Sequence, residues 1–128
     1  MSVNRCQRIL VAEDEGLIAL QLELMLSDLN FTVIGPASSV EEVVAAVEND
    51  EFDGALLDVN LRGHSIFPVL PRIVKAKKPY IITSGYDASS LFPVEYQQVP
   101  RVAKPFDENR LRLLCEQMFA CRPATGSA

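Results

Sequence analysis

Four short stretches of this chain end in residues suited to handling a phosphoryl group. Arg8–Glu13 (RILVAE) is an apolar run that closes on Glu13 and Asp14, and Gly54–Asp58 (GALLD) closes on Asp58. Tyr80–Thr83 (YIIT) leads into Ser84, and Arg101–Ala103 leads into Lys104. Three carboxylates gathered in one place repel one another, by roughly 4 kcal/mol per pair at ~4 Å and an effective dielectric near ~20. Either some of them are protonated or a cation sits among them. Oxygen ligands with no neighbouring His or Cys favour Mg²⁺ or another hard divalent ion over zinc. Such an ion can bridge carboxylate and phosphate oxygens. Asp58 can then act as a nucleophile toward phosphorus, giving an acyl phosphate. The hydroxyl of Ser84 can donate to a phosphoryl oxygen and Lys104 can pair with another, the charge-stabilising roles that phosphoryl transfer requires. Pro105 follows the lysine, and a cis Lys104–Pro105 bond is a candidate device for aiming it inward.

These residues converge only if the elements before them lie side by side. The sequence alternates short apolar runs with helical stripes. Leu22, Met25, Leu26 and Leu29 recur at helical spacing, as do Val40, Val43, Val44 and Val47 behind a Ser39/Glu42 capping box. Phe31–Gly35 (FTVIG) reads as a strand between them. Asp107 is placed to cap a last helix with Leu111, Leu114, Cys115 and Met118 on its buried side. Residues 67–78 predict a helix with an irregular start, because Pro68 suits a first turn and Pro71 removes a further donor. Residues 87–98 are weak for helix and are interrupted by Pro93. Alternating strands and helices predict βαβ units and a parallel sheet. In such sheets the ligand sits outside the carboxyl ends of the strands. Glu13, Asp14, Asp58, Ser84 and Lys104 should therefore gather at one rim.

Bulk properties agree with a single small domain of 128 residues, 48% hydrophobic and 23% charged, with a net charge of −5. That charge disfavours direct nucleic-acid binding, which needs clustered Lys and Arg. Cys6, Cys115 and Cys121 show no metal-ligand spacing, and reduced thiols in a cytoplasmic protein are expected. The N-terminus has no apolar signal-peptide core, and no run is long enough to span a membrane. His64, the sole histidine, reads as an exposed loop residue.

In this order and at these strand ends, the motifs VAEDE, ALLDVNL, IITSGY and VAKPF resemble those of CheY-like response-regulator receiver domains over nearly the whole chain. The resemblance implies a flavodoxin-like (βα)5 sandwich with a five-stranded parallel sheet of order 2-1-3-4-5. The receiver domain is expected at residues 1–121, and the stretch 122–128 (RPATGSA) reads as a flexible tail. The resemblance also implies Mg²⁺-dependent phosphorylation of Asp58 by a sensor histidine kinase or a histidine phosphotransfer protein, and contact with a downstream protein. By the same match Asp14 and Asp58 are metal ligands, Glu13 acts at the metal, and Asn60 contributes its backbone carbonyl. Ser84 becomes the switch hydroxyl, since a small residue, Gly85, follows it. Thr83 is the alternative. Lys104 becomes the phosphate-pairing lysine.

The chain departs from the family pattern where the switch is read. An aromatic residue three positions before the lysine is usual, and here that position is Arg101. Tyr86 is the nearest substitute and, with Thr83, a gate candidate. The run PYIITSGY is similar to the P-F-x-F-A-T-G-Y signature of alphaproteobacterial stand-alone receivers linked to general stress signalling, matching at Pro79, Gly85 and Tyr86 and differing at Thr83 and Ser84. The fourth helix is expected to be eroded. Two other functions compete with the phosphoacceptor reading. One is a phosphorylation-independent binding module. The other is a Mg²⁺-dependent phosphohydrolase, disfavoured because Asn60 stands where haloacid-dehalogenase-like enzymes carry a second aspartate. The expectation is a signalling module rather than an enzyme.

Overall fold

The computed structural model describes residues 4–85, 92–119 and 121–123, with backbone only for residues 4–6 and 121–123. Its elements run β1 (Arg8–Ala12), α1 (Gly16–Asp28), β2 (Thr32–Ala37), α2 (Val40–Glu48), β3 (Gly54–Asp58), α3 (Leu70–Lys75), β4 (Tyr80–Ser84), β5 (Arg101–Ala103) and α4 (Glu108–Met118). The five strands are parallel and ordered β2-β1-β3-β4-β5, the expected flavodoxin-like arrangement. β3 is buried at every position, because helices cover both faces of the sheet at its centre.

Period-two alternation divides the core into two layers. Leu10, Leu57 and Ile82 face α2 and α3, where they meet Val43, Ala46, Leu70 and Ile73. Ile9, Val11, Leu56, Ile81 and Val102 face α1 and α4, where they meet Leu22, Met25, Leu26, Leu111 and Cys115. Burial pushes the Cys115 thiol up to about 12, so it stays neutral and packs as a small apolar residue. Gly54 is required by this second layer. A Cβ there would lie 2.7 Å from the ring of Phe119, which is itself buried and set edge-on to Phe31 with 6.0 Å between centroids.

Local chemistry sets the helix ends. Ser39 Oγ accepts from the Glu42 amide at 3.2 Å, half of the expected capping box. The Glu42 carboxylate closes on Ser38 instead, taking its amide at 3.2 Å and its hydroxyl at 3.1 Å. Asp107 caps α4 through the Arg110 amide at 3.2 Å. The irregular start before α3 is a 3₁₀ turn, Phe67–Val69. Pro71 then falls in the first turn of α3, where a missing N–H leaves no bond unmade. Among the described residues between β4 and β5 the regular element is the 3₁₀ turn Val94–Tyr96, so this part of the expected fourth helix is eroded. Residues 86–91 of that region lie outside the described residues.

Two small antiparallel ladders complete the fold. Asn4–Cys6 pairs with Cys121–Pro123, so the ladder takes in Arg122 and Pro123, which the sequence expectation put in a flexible tail from residue 122. Backbone pairing with the start of the chain gives those two residues a partner that a local reading could not supply. Residues 124–128 lie outside the described residues. Asn60–Leu61 pairs with His64–Ser65 through Arg62 and Gly63, both at positive φ (52° and 84°) as a tight primed turn requires. His64 is exposed on this hairpin.

Candidate functional site

The carboxyl ends of β1, β3 and β5 bring Glu13, Asp14, Asp58 and Lys104 together. Glu13 is 2% exposed and Asp58 5%, while Asp14 lies open to solvent and Lys104 is half-buried. One carboxylate oxygen from each of Glu13, Asp14 and Asp58 falls within 4.8 Å of the others. Lys104 Nζ donates a hydrogen bond to Asp58 Oδ2 at 2.7 Å. It also lies 2.8 Å from Glu13 Oε1, off the hydrogen-bonding direction, so that contact is an ion pair. The cation that the clustered acids require is thus in part the chain's own ammonium.

Backbone amides fix three further carboxylate oxygens. Asp58 Oδ1 accepts from the Asn60 amide at 3.1 Å and Glu13 Oε2 from the Glu15 amide at 3.1 Å. Asp14 Oδ2 accepts from the Arg62 amide at 2.9 Å, which ties the 60–65 hairpin to the rim. Asn60 Oδ1 accepts from the Gly63 amide at 2.8 Å and holds the hairpin turn. These partners set the charge states. Burial pushes the Glu13 carboxyl up, Asp58 adds to the rise, and Lys104 opposes it only in part. Burial alone would lower the Lys104 ammonium, but its contacts with Asp58 and Glu13 prevail and hold it above the usual lysine range. Burial is the largest single influence on the Asp14 carboxyl and raises it, but the Arg62 amide, its own amide, Glu13 and the Lys104 charge together outweigh burial and leave it below the usual range.

Of the other expected site residues, Ser84 is buried at the end of β4, and its carbonyl accepts from the Lys104 amide at 2.7 Å. Thr83 is 1% exposed, and its Oγ1 has no hydrogen-bond partner. The Lys104–Pro105 peptide is cis, as is Gly35–Pro36, which the sequence reading passed over. Tyr86 lies outside the described residues.

A neighbouring cluster escaped the sequence reading. The Arg101 guanidinium sits 4.6 Å above the centre of the Phe92 ring. Phe92 meets Phe67 edge-on at 5.0 Å, and Phe67 stacks on Tyr96 at 5.4 Å with 14° between planes. The position where the resemblance implies an aromatic ring therefore carries a cation laid on a ring. The ring that Arg101 covers and the rings stacked behind it come from two separate segments, Phe67 from one and Phe92 with Tyr96 from the other, so no local pattern links them to Arg101.

An acidic cluster beside a lysine lies at the strand ends of a parallel sheet, and comparison with known proteins identifies the family to which that sheet belongs. The model of the response regulator receiver domain matches residues 9–116. The sensory transduction protein LytT of Bacillus subtilis is 30% identical over 108 residues, covering 82% of this chain and 45% of LytT. The chain spans less than half the length of the curated relatives it matches. Among solved structures, the receiver domain of PhyR from Erythrobacter litoralis superposes with a TM-score of 0.79 at 27% identity, covering 89% of this chain and 90% of that one. SdrG from Sphingomonas melonis gives 0.71 at 34%, covering 84% and 95%. A BeF3-activated conformation of SdrG gives 0.68 at the same identity and coverage. Fold, strand-end chemistry and relatives agree that the chain belongs to the response regulator receiver domains of two-component signalling.

Proposed function

We propose that this receiver accepts a phosphoryl group on Asp58 from a phosphohistidine of a sensor kinase or histidine phosphotransfer protein. The transfer breaks the histidine N–P bond as an Asp58 O–P bond forms, and the imidazole nitrogen is left to take up a proton. The observation that carries this reading is the buried Asp58 carboxylate, held between the Lys104 ammonium at 2.7 Å and the Asn60 amide at 3.1 Å. One oxygen is oriented by a backbone donor while the other faces the cation that would follow it onto the phosphoryl group. The side chains of Glu13, Asp14 and Asp58 and the Asn60 backbone carbonyl suit Mg²⁺, which would supply charge neutralisation for the transferring group. The BeF3-activated conformation of SdrG, 34% identical, supports the same use of the matching site here.

Phosphorylation then acts through changed contacts with a downstream protein or by passing the group on in a relay, in the cytoplasm and without multiple-turnover enzymatic activity. No helix among the described residues is long and apolar enough to cross a membrane. The test is incubation with acetyl phosphate and Mg²⁺, followed by intact mass. Wild type is expected to gain one phosphoryl group that is lost in base, and Asp58→Asn is expected to gain at least about 100-fold less. Equal labelling of Asp58→Asn would end this reading. Partner binding that persists unchanged in Asp58→Asn would favour a phosphorylation-independent module.

A further inference from the structure

The side chain of Thr83 is the one feature of the rim that the roles above leave unexplained. A buried hydroxyl without a partner is costly and uncommon. Thr83 is 1% exposed, and Oγ1 finds no donor or acceptor. Nothing in the packing demands a hydroxyl there, since valine has nearly the same shape.

The sheet itself says which way this hydroxyl faces. Val11, Leu56, Ile81 and Val102 share the core layer beneath α1 and α4. Two residues further along come Asp58 and Thr83 within β3 and β4, and Glu13 and Lys104 one residue past the ends of β1 and β5. Side chains alternate with a period of two along a strand, so Asp58 and Thr83 belong to one face, where Lys104 meets Asp58. The register pairs Asp58 directly with Thr83, and Thr83 with Val102. β4 lies between β3 and β5, yet Lys104 Nζ crosses from the end of β5 to reach Asp58 Oδ2 at 2.7 Å. The ion pair therefore spans the strand that carries Thr83, on the face that Thr83 occupies. Ser84, one residue on, alternates to the layer of Ile82 and reaches the rim from the other side.

We propose that Thr83 is a second hydroxyl donor for the group carried by Asp58, working with Ser84 from the opposite face of β4. Its hydrogen bond is unmade in the free protein and made when a phosphoryl oxygen enters beside Lys104. This deepens the phosphoacceptor reading and rests on it. The unpartnered hydroxyl is then a cost of the free state that ligand binding relieves, so it favours the loaded state.

Three proteins test this: wild type, Thr83→Val, which keeps the shape, and Thr83→Ser, which keeps the hydroxyl. Each is titrated with beryllium fluoride in saturating Mg²⁺ and followed by amide NMR shifts, with Asp58→Asn as the blank. Thr83→Val is expected to bind about tenfold more weakly than wild type, and Thr83→Ser within about twofold of it. Without ligand, Thr83→Val is expected to melt no lower than wild type, because an unsatisfied polar group has been removed. That split, weaker binding in an equally stable protein, is not what loss of packing produces. The proposal is overturned if Thr83→Val binds like wild type, or if Thr83→Ser is as weak as Thr83→Val. If wild type itself responds no more than Asp58→Asn, the phosphoacceptor reading falls and takes this inference with it. A responsive wild type with an unaltered Thr83→Val removes this inference alone.

Discussion

The acidic rim and the aromatic stack are both anchored on β5, the stack by Arg101 at its start and the rim by Lys104 just past its end, but they are built on opposite terms. At the rim, buried ions meet at 2.7 and 2.8 Å, and the strands contribute charges that repel one another until Lys104 is set between them. In the stack, Phe67, Phe92 and Tyr96 meet at 5.0 to 5.4 Å with one cation, Arg101, laid on top. The rim concentrates chemistry at little gain in stability, because burying charges offsets much of their attraction. The stack concentrates apolar contact and performs no chemistry. A receiver can thus keep one phosphoryl site while the surface beside it is rebuilt for a different reader. Here the rim has every expected residue type, and the neighbouring stack carries Arg101 in place of the usual ring.

The sharpest way to break this contrast is to damage each region and read both properties. Phe92 is 3% exposed and contacts both Phe67 and Arg101. Phe92→Ala is expected to cost about 3 kcal/mol in urea unfolding, from lost transfer energy plus a cavity. Phosphate incorporation from acetyl phosphate should stay within about threefold of wild type at a temperature where the variant is folded. A large loss of phosphorylation in the folded variant would show that the stack and the rim are one unit.

Lys104→Met should do the reverse. It leaves Glu13 and Asp58 buried without their cation, and breaking a buried pair costs roughly 3 to 5 kcal/mol when both partners are fully desolvated. The Lys104 side chain is 19% exposed, so the expected cost is smaller, about 2 kcal/mol. The phosphorylated or beryllofluoride-bound state should be lost in the same variant. Mg²⁺ should raise the melting temperature of Lys104→Met more than that of wild type, because the ammonium no longer competes for the carboxylates. Equal Mg²⁺ effects on the two proteins would argue against that competition.

The sequence makes the rim legible for a physical reason. Each site residue ends or follows a short apolar run, and parallel sheets bring strand ends together, so composition and topology point to the same place. The caps at Ser39 and Asp107 and the disturbed start of α3 are equally local and equally readable. Other features depend on distance. Arg62 reaches Asp14 by its backbone amide, which no side-chain pattern encodes. Lys104 bridges two carboxylates because β4 lets it pass, a fact of strand order rather than of spacing. The pairing of Arg122 and Pro123 with the start of the chain joins segments more than a hundred residues apart. The stack is assembled from positions 67, 92, 96 and 101, which fall on no shared period. The gathering of these residues at the rim was readable because it sits at the ends of elements; the stack was not, because it is made between them.

The smallest expected effect tests whether Arg101 belongs to the stack or merely lies near it. A guanidinium 4.6 Å from a ring centre is within cation–π range, worth about 1 kcal/mol where it is partly desolvated. Arg101 is half-buried, with Nη1 enclosed and unpaired, so part of the ring's attraction is spent on holding a poorly hydrated cation. Arg101→Ala is therefore expected to cost about 1 kcal/mol or slightly less in urea unfolding. A cycle with Phe92→Leu isolates the contact, since leucine keeps much of the apolar volume and removes the π face. The coupling should be about 0.5 kcal/mol or more, with phosphorylation of Asp58 within about twofold of wild type in each single variant. Strict additivity would mean that Arg101 is held by its strand and gains nothing from the ring. A measurable coupling would make it the stack's fourth member, a cation doing the packing that an aromatic side chain does in similar receivers.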